Sequence, residues 1–335
     1  MCYALIRSIL FCLPPEIAHA VALSALQVVH RLRLIKRSHL KRKKSETIMG
    51  LPFTGRLGLA AGLDKNGDYI DALAALPFDF IEVGTVTPKP QPGNPKPRLF
   101  RLPHDEALIN RMGFNNNGLD YLIKNLKKIQ YKGILGINIG KNADTPQDRA
   151  IEDYLIGFQS VAPYASYITL NISSPNTKGL RDFQHGDLLK KLITALKQEQ
   201  AHFFNQQKKY VPLVVKISPD LTAEALASMA AILLEQKVDG IIATNTTIDH
   251  SNVSDLNAAD EEGGVSGKPL RNRSTEVIKQ LSALVQKQIP IIGCGGIFSI
   301  NDANEKLAAG ASLIQVYSGL VYQGPALIRQ LSSMK

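Results

Sequence analysis

The chain has no tryptophan and only three cysteines, at positions 2, 12 and 294. No two of them form a CxxC pair and no histidines cluster near them, so neither a disulfide framework nor a zinc or other metal site is expected. Such sparse, unpaired cysteine usage is the default of a reducing compartment. Long apolar runs are missing too. The longest, Ile17 to Val29, is interrupted by His19, Ser24 and Gln27, whereas a membrane-spanning helix needs roughly 18 to 20 nearly continuous apolar residues. Ala18-His-Ala20 imitates a signal-peptide cleavage site, yet no basic segment precedes the apolar run and Arg7 splits it, so a secretory leader is not expected.

Acidic residues are scarce in one place. Residues 1–44 carry nine lysines and arginines against Glu16 alone, a net +8 of the chain's +10. Charge spread over the whole surface would suggest nucleic acid. Charge concentrated beside an amphipathic segment points instead to an anionic lipid surface, and no nucleic-acid partner is expected.

Two helices are predicted there, Tyr3 to Leu13 and Pro15 to about Ile35, with Pro14 and Pro15 as break and start. Ile17, Val21, Ala25, Val28, Leu32 and Ile35 fall on one stripe, and the basic residues crowd in after it. This pattern fits a helix lying in the membrane interface, with packing against the rest of the protein as the competing reading. Residues 1–45 are thus one unit, Ser45 to Leu51 reads as a linker, and 46–335 form the main domain.

From Leu57 onward one theme repeats: a β-rich apolar run, a loop rich in Gly, Asn, Ser and Thr, then a helical pattern. The runs are Leu57–Ala61, Phe80–Val83, Ile134–Ile139, Tyr167–Asn171, Val211–Ile217, Gly240–Ala243, Ile289–Ile292 and Leu313–Tyr317. Eight such units predict an α/β fold, a parallel sheet closed into a (β/α)8 TIM barrel, whose sites sit at the C-terminal ends of the strands. Helix signals agree. Ser299-x-x-Asp302 is a capping box, Gly310 can end its helix, and Thr222 can cap the helix that follows.

Every strand end carries polar residues or glycine. The fourth, Asn171-Ile-Ser-Ser-Pro-Asn-Thr177, is the densest. Pro175, Asn176 and Gly179 supply turn chemistry, but turns alone do not require two serines and two asparagines. Asn110, Asn138, Asn171, Asn176 and Asn245 each offer an acceptor and two donors, suited to a flat heterocycle rich in carbonyls and N–H groups. Lys216 lies inside an apolar run, where an ammonium needs an electron-rich partner or a barrel carboxylate. Glycines at 263–267 and 293–296 and at Gly319 offer backbone N–H groups to a phosphate, or serve only as tight turns. No Ser/His/Asp triad is visible, and His185 is expected at the surface. A serine acting as a base demands a polarised site or a water relay.

These stretches resemble the class 2 dihydroorotate dehydrogenases, which are membrane-associated. The resemblance runs in order through Ala60-Ala-Gly-Leu-Asp-Lys65, Gly84-Thr-Val-Thr-Pro-Lys-Pro-Gln-Pro-Gly93, Pro97-Arg-Leu-Phe-Arg-Leu102 and Ile109-Asn-Arg-Met-Gly-Phe-Asn115. It continues in Gly136-Ile-Asn-Ile-Gly-Lys141, Asn171 to Thr177, Gly264-Val-Ser-Gly267, Gly293-Cys-Gly-Gly-Ile297 and Tyr317-Ser-Gly319. It implies oxidation of dihydroorotate to orotate, with FMN accepting the hydride and a membrane quinone the electrons, in pyrimidine (UMP) synthesis. By resemblance Ser174 is the base, and Thr177 and Phe114 flank its proton-relay path. Substrate contacts fall on Lys65, Asn110, Arg111, Met112, Gly113, Phe114, Asn171, Asn176, Asn245 and Thr246. FMN contacts fall on Ala61, Gly62, Leu63, Asp64, Lys65, Thr85, Asn138, Asn171, Lys216 and Thr244, with the phosphate at Gly267, Gly296, Tyr317 and Ser318.

His19, Arg101 and Tyr317 match positions lining the quinone tunnel, and the two N-terminal helices match the extension that marks the class. The expected location is the cytoplasmic face of a bacterial cytoplasmic membrane, as a peripheral monomer. Cys294 replaces the valine usual in Gly-x-Gly-Gly and is expected to point into packing. Soluble class 1 relatives use a cysteine base, and flavin-dependent tRNA dihydrouridine synthases need a loop cysteine and an RNA-binding domain. Ser173 and Ser174 stand in the loop here, with no cysteine within a hundred residues. A membrane-surface binding protein on a degenerate barrel is the non-enzyme alternative.

Overall fold

The computed structural model describes residues 2–34, 45–254 and 261–334. Helices α1 (Cys2–Phe11) and α2 (Pro15–Arg31) come first. Strands β1 (Glu46–Ile48) and β2 (Leu51–Phe53) pair as an antiparallel hairpin where a linker was expected. The left-handed backbone of Met49 and Gly50 makes that turn, and Ile48 and Phe53 bury into the base of the barrel. Six positions without an alternating apolar pattern gave no strand signal, because only two side chains are buried.

The barrel strands are β3 (Leu57–Leu59), β4 (Phe80–Val86), β7 (Ile134–Ile139), β8 (Tyr167–Asn171), β9 (Leu213–Ile217), β10 (Gly240–Ala243), β12 (Ile291–Cys294) and β13 (Leu313–Val316). They pair in that order, all parallel, and β13 closes onto β3. Between them β5 (Leu99–Leu102), β6 (Ala107–Asn110) and β11 (Gly264–Gly267) form a separate three-stranded antiparallel sheet. This corrects the reading of 263–267 as a glycine-rich turn: four of its five residues are a strand paired with β6.

Alternation along each strand divides the core in two. Ile168, Leu170, Val215 and Ile217 pack outward under the helices, whereas Phe80, Tyr167, Val214, Ile242, Ile292 and Leu313 fill the barrel interior. Gly136 makes room there, since a Cβ would stand 2.2 Å from the Tyr167 ring. Higher up the same inward parity places Asn138, Asn171, Lys216 and Cys294. Among the outer helices, Thr222 Oγ1 accepts from Ala225 N (3.2 Å) and Ser299 Oγ from Asp302 N (3.1 Å), so both predicted caps form.

Helices α1 and α2 stand against α3 (Ile70–Leu73), β5 and the short helix Ser318–Gln323 that follows β13. Tyr3 donates to the Val321 carbonyl (2.7 Å), Arg7 to that of Tyr322 (3.0 Å), and Gln27 to that of Asp68 (3.0 Å). Leu23 is buried, while Ile17, Val21, Ala25, Val28 and Leu32 face out with Leu5, Ile6 and Ile9. One face of α2 thus packs on the protein, as the competing reading has it, and the other presents exposed apolar side chains. Ile35 and the basic cluster 36–44 lie outside the described residues.

Candidate active site

A cavity of ≈ 340 Å³ opens at the C-terminal end of the barrel. It is lined from all sides of the sheet: Gly62 to Lys65 after β3, Thr85 on β4, Asn171 and Ser174 at the end of β8, and Lys216 on β9. Thr244 and Asn245 after β10, Gly295 and Gly296 after β12, and Tyr317 and Ser318 after β13 complete the ring. Asn110, Met112, Gly113 and Phe114, following β6, close one side with Asn176. Gly267 at the end of β11 also lines it, with φ +100, and a Cβ there would meet the Glu106 carbonyl at 2.3 Å.

The amides are held by one another. Asn171 Nδ2 donates to Thr85 Oγ1 (2.8 Å), and Thr85 Oγ1 donates to Asn138 Oδ1 (2.7 Å). Asn138 Nδ2 in turn donates to the buried carboxylate of Glu82 (2.8 Å), which also accepts from Tyr167 (2.9 Å) and Gln315 (2.8 Å). A carboxylate can only accept, so it fixes which way each amide above it points. Asn138 thus braces Thr85 and, through it, Asn171 at the cavity wall. Ser173 is fully buried: its hydroxyl donates to Asn171 Oδ1 (3.0 Å) and accepts from Asn245 Nδ2 (2.9 Å).

Lys216 is 6% exposed and sits beside Asn171 in register. Among the described residues nothing hydrogen-bonds to or pairs with its ammonium. The barrel carboxylate Glu82, which could have neutralised it, is engaged with Asn138, Tyr167 and Gln315. An unpaired cation in a cavity wall asks for an anionic or electron-rich ligand. Cys294, expected to be packed away, lines the same cavity, and burial pushes its thiol up despite the nearby Lys216. Its inward parity from Ile292 was the signal available in the sequence.

Ser174 lines the cavity and is 6% exposed. Its Oγ accepts from the Asn176 N–H (3.2 Å), a bond that favours the oxygen as it loses its proton. Behind it Thr177 is buried outside the cavity lining, with Oγ1 unpartnered among the described residues. Phe114 holds a left-handed backbone (φ +55), and Gly140 clears the space its ring occupies. Burial, then the Arg98 charge, draws Lys65 down to about 8.

Two of the expected site residues have side chains that are engaged by the protein itself. Arg111 turns its guanidinium to Glu261 (2.7 Å) and over the Phe100 ring (4.7 Å), leaving only its backbone near the site. Asp64 uses its carboxylate to hold the N–H groups of Asp68 (3.0 Å) and Tyr69 (2.7 Å) while burial raises it to about 6. Ser266, which was not expected, lines the cavity 2.9 Å from the Ser318 hydroxyl. His185 is exposed, as expected.

A second cavity of ≈ 190 Å³ lies between α1, α2 and the barrel. Its wall is largely apolar, with Phe11, Ala18, Ala22, Leu23 and Leu26 from the helices. His19, Arg101 and Tyr317 all line it. Burial, then Lys65, pulls His19 down to about 4, so its ring is neutral at pH 7. Arg101 donates to the Leu10 carbonyl (3.2 Å) and to that of Leu13, and lies 4.6 Å over the Phe11 ring. His19, Leu63, Leu99, Leu108 and Tyr317 line both cavities and so form their common wall.

A (β/α)8 barrel with a polar, amide-ringed cavity at its strand ends and an apolar one behind it defines an enzyme that handles two reactants of opposite polarity. The dihydroorotate dehydrogenase family profile matches residues 44–334. A dihydroorotate dehydrogenase (quinone) of Nitrosospira multiformis is 55% identical over 334 residues, covering 100% of this chain and 96% of that protein. One from Acinetobacter baumannii is 53% identical over 330 residues, 98% of each chain. The dihydroorotate dehydrogenase structure from Eimeria tenella with ferulenol superposes with a TM-score of 0.87 at 38% identity, covering 95% of this chain and 89% of that one. The chain belongs to the dihydroorotate dehydrogenase family, in its quinone-dependent class.

Proposed function

We propose that the protein oxidises (S)-dihydroorotate to orotate in pyrimidine synthesis, with FMN in the barrel cavity and a membrane quinone in the cavity behind it. The observation that carries this reading is the pair of cavities, polar and apolar, sharing one wall. When bound, FMN supplies a ring that takes the hydride from C6 of the substrate and hands the electrons on.

The residues present suit that group. Lys216 offers a cation to an electron-rich ring, Thr85 and Thr244 offer hydroxyls, and the backbone at Gly267, Gly296 and Ser318 offers room and N–H groups for a phosphate. Lys65, Asn110, Asn171, Asn176, Asn245 and Thr246 would orient the substrate carboxylate, carbonyls and N–H groups. Ser174 Oγ takes the C5 proton, and Thr177, with an uncommitted hydroxyl, receives it through a water beside Phe114.

The helices that border the second cavity carry exposed apolar residues on their other faces, which suits a lipid-soluble acceptor arriving from the bilayer. No helix among the described residues is long and apolar enough to cross a membrane. Peripheral attachment at the cytoplasmic face of a bacterial membrane, strengthened by anionic lipid, suits these faces. Steady-state turnover of the purified protein with dihydroorotate and a short-chain quinone tests the assignment. Turnover with fumarate and none with quinone would overturn it.

A further inference from the structure

Arg98 is 6% exposed, yet no substrate or cofactor role falls on it. All three of its guanidinium nitrogens donate. Nε and Nη2 donate to the two carboxylate oxygens of Glu16, on the first turn of α2, at 3.0 Å each. Nη1 donates to the carbonyls of Pro92 (2.5 Å) and Asn94 (2.9 Å). Asn94 continues the chain: its N–H donates to the Met112 carbonyl (3.1 Å) and its Nδ2 to those of Arg111 (2.9 Å) and Asn176 (3.4 Å). Met112 and Asn176 line the polar cavity, and Asn176 Nδ2 is itself bonded to the Asn110 carbonyl (3.1 Å). One buried side chain thus joins the membrane-facing helix to the two loops that border the substrate side of the site.

We infer that Arg98 is a positioning residue that makes the seating of α2, through Glu16, a condition for the substrate-side loops to hold their binding geometry. The bidentate fork explains why arginine serves: only a planar guanidinium grips a carboxylate with one edge and two carbonyls with the other. Glu16 is held below the usual carboxylate range, burial opposing and the Arg98 bonds and charge outweighing it. The helices would then serve dihydroorotate binding as well as the quinone. This rests on the activity proposed above, so the test includes a readout that needs no substrate.

Hydrogen exchange of the full-length holoenzyme should show faster exchange in residues 92–94 and 111–113 of Glu16→Gln. The KM for dihydroorotate should rise about tenfold, a loss of the size of one charge-assisted hydrogen bond. Its kcat and its KM for a short-chain quinone should stay within about twofold. The double variant Glu16→Arg with Arg98→Glu restores the ion pair but cannot donate to Pro92 and Asn94. It should recover protection in α2 without recovering the dihydroorotate KM. Should Glu16→Gln fold poorly, Arg98→Lys, which keeps the charge but loses the fork, should show the same KM shift. An unchanged dihydroorotate KM, a shift in the quinone KM alone, or exchange confined to residues 15–31 would overturn the inference. A wild-type protein that does not turn over dihydroorotate would instead fail the proposed function and leave the exchange result to judge the latch.

Discussion

The two cavities share a wall but are built in opposite ways. The polar one is assembled from the ends of seven of the eight barrel strands, and its amides are locked by buried hydrogen bonds down to Glu82. The apolar one is bordered by two short helices whose outer faces are themselves apolar and exposed. Rigidity in the first comes from a hydrogen-bonded ladder and in the second from packing, tethered by Arg101 and Arg98. Chemistry that needs fixed donors sits on the ladder, and binding of a flexible apolar molecule sits where packing can adjust.

The largest test of that division is Ser174→Ala. Reduction of the bound flavin by dihydroorotate should slow by about 10² to 10⁴, while reoxidation by quinone stays unchanged. Stopped-flow absorbance separates the two, and equal losses in both would dissolve the division. A pH profile comes next. Lys65 is cationic below about 8 and neutral above, so the KM for the dihydroorotate anion should rise by up to about tenfold per unit above that value. His19, already neutral above about 4, should leave the quinone KM flat over pH 6 to 8. Third, Arg101→Ala removes bonds to the Leu10 carbonyl of α1 and to that of Leu13 just after it, and should raise the quinone KM by about tenfold with the dihydroorotate KM unchanged. Smallest, Thr222→Ala loses one helix cap far from both cavities. It should cost about 1 kcal/mol in denaturant unfolding and alter neither half-reaction.

The barrel was legible because its strands are apolar and each is followed by a polar or glycine-rich loop and a helical pattern, and Tyr167–Asn171 and Gly240–Ala243 fall where the pattern puts them. The hairpin at 46–53 and the sheet of β5, β6 and β11 were not, since edge pairing between short, half-exposed or glycine-rich segments leaves no periodic trace. Site residues named from strand ends mostly line the cavity. Those that brace it from below were harder: Glu82 and Ser173 were passed over, because a sequence does not say which partner an amide faces. Cys294 was within reach through strand parity. Arg111 was not, because a long side chain's direction depends on Glu261, 150 residues away in sequence.

The wall formed by His19, Leu63, Leu99, Leu108 and Tyr317 has one more consequence. With α1 and α2 resting on a bilayer as proposed, it would separate two solvents as much as two ligands: a small anion would arrive from water and a lipid-soluble acceptor from the bilayer side. Solubility would then sort the reactants before any side chain touches them.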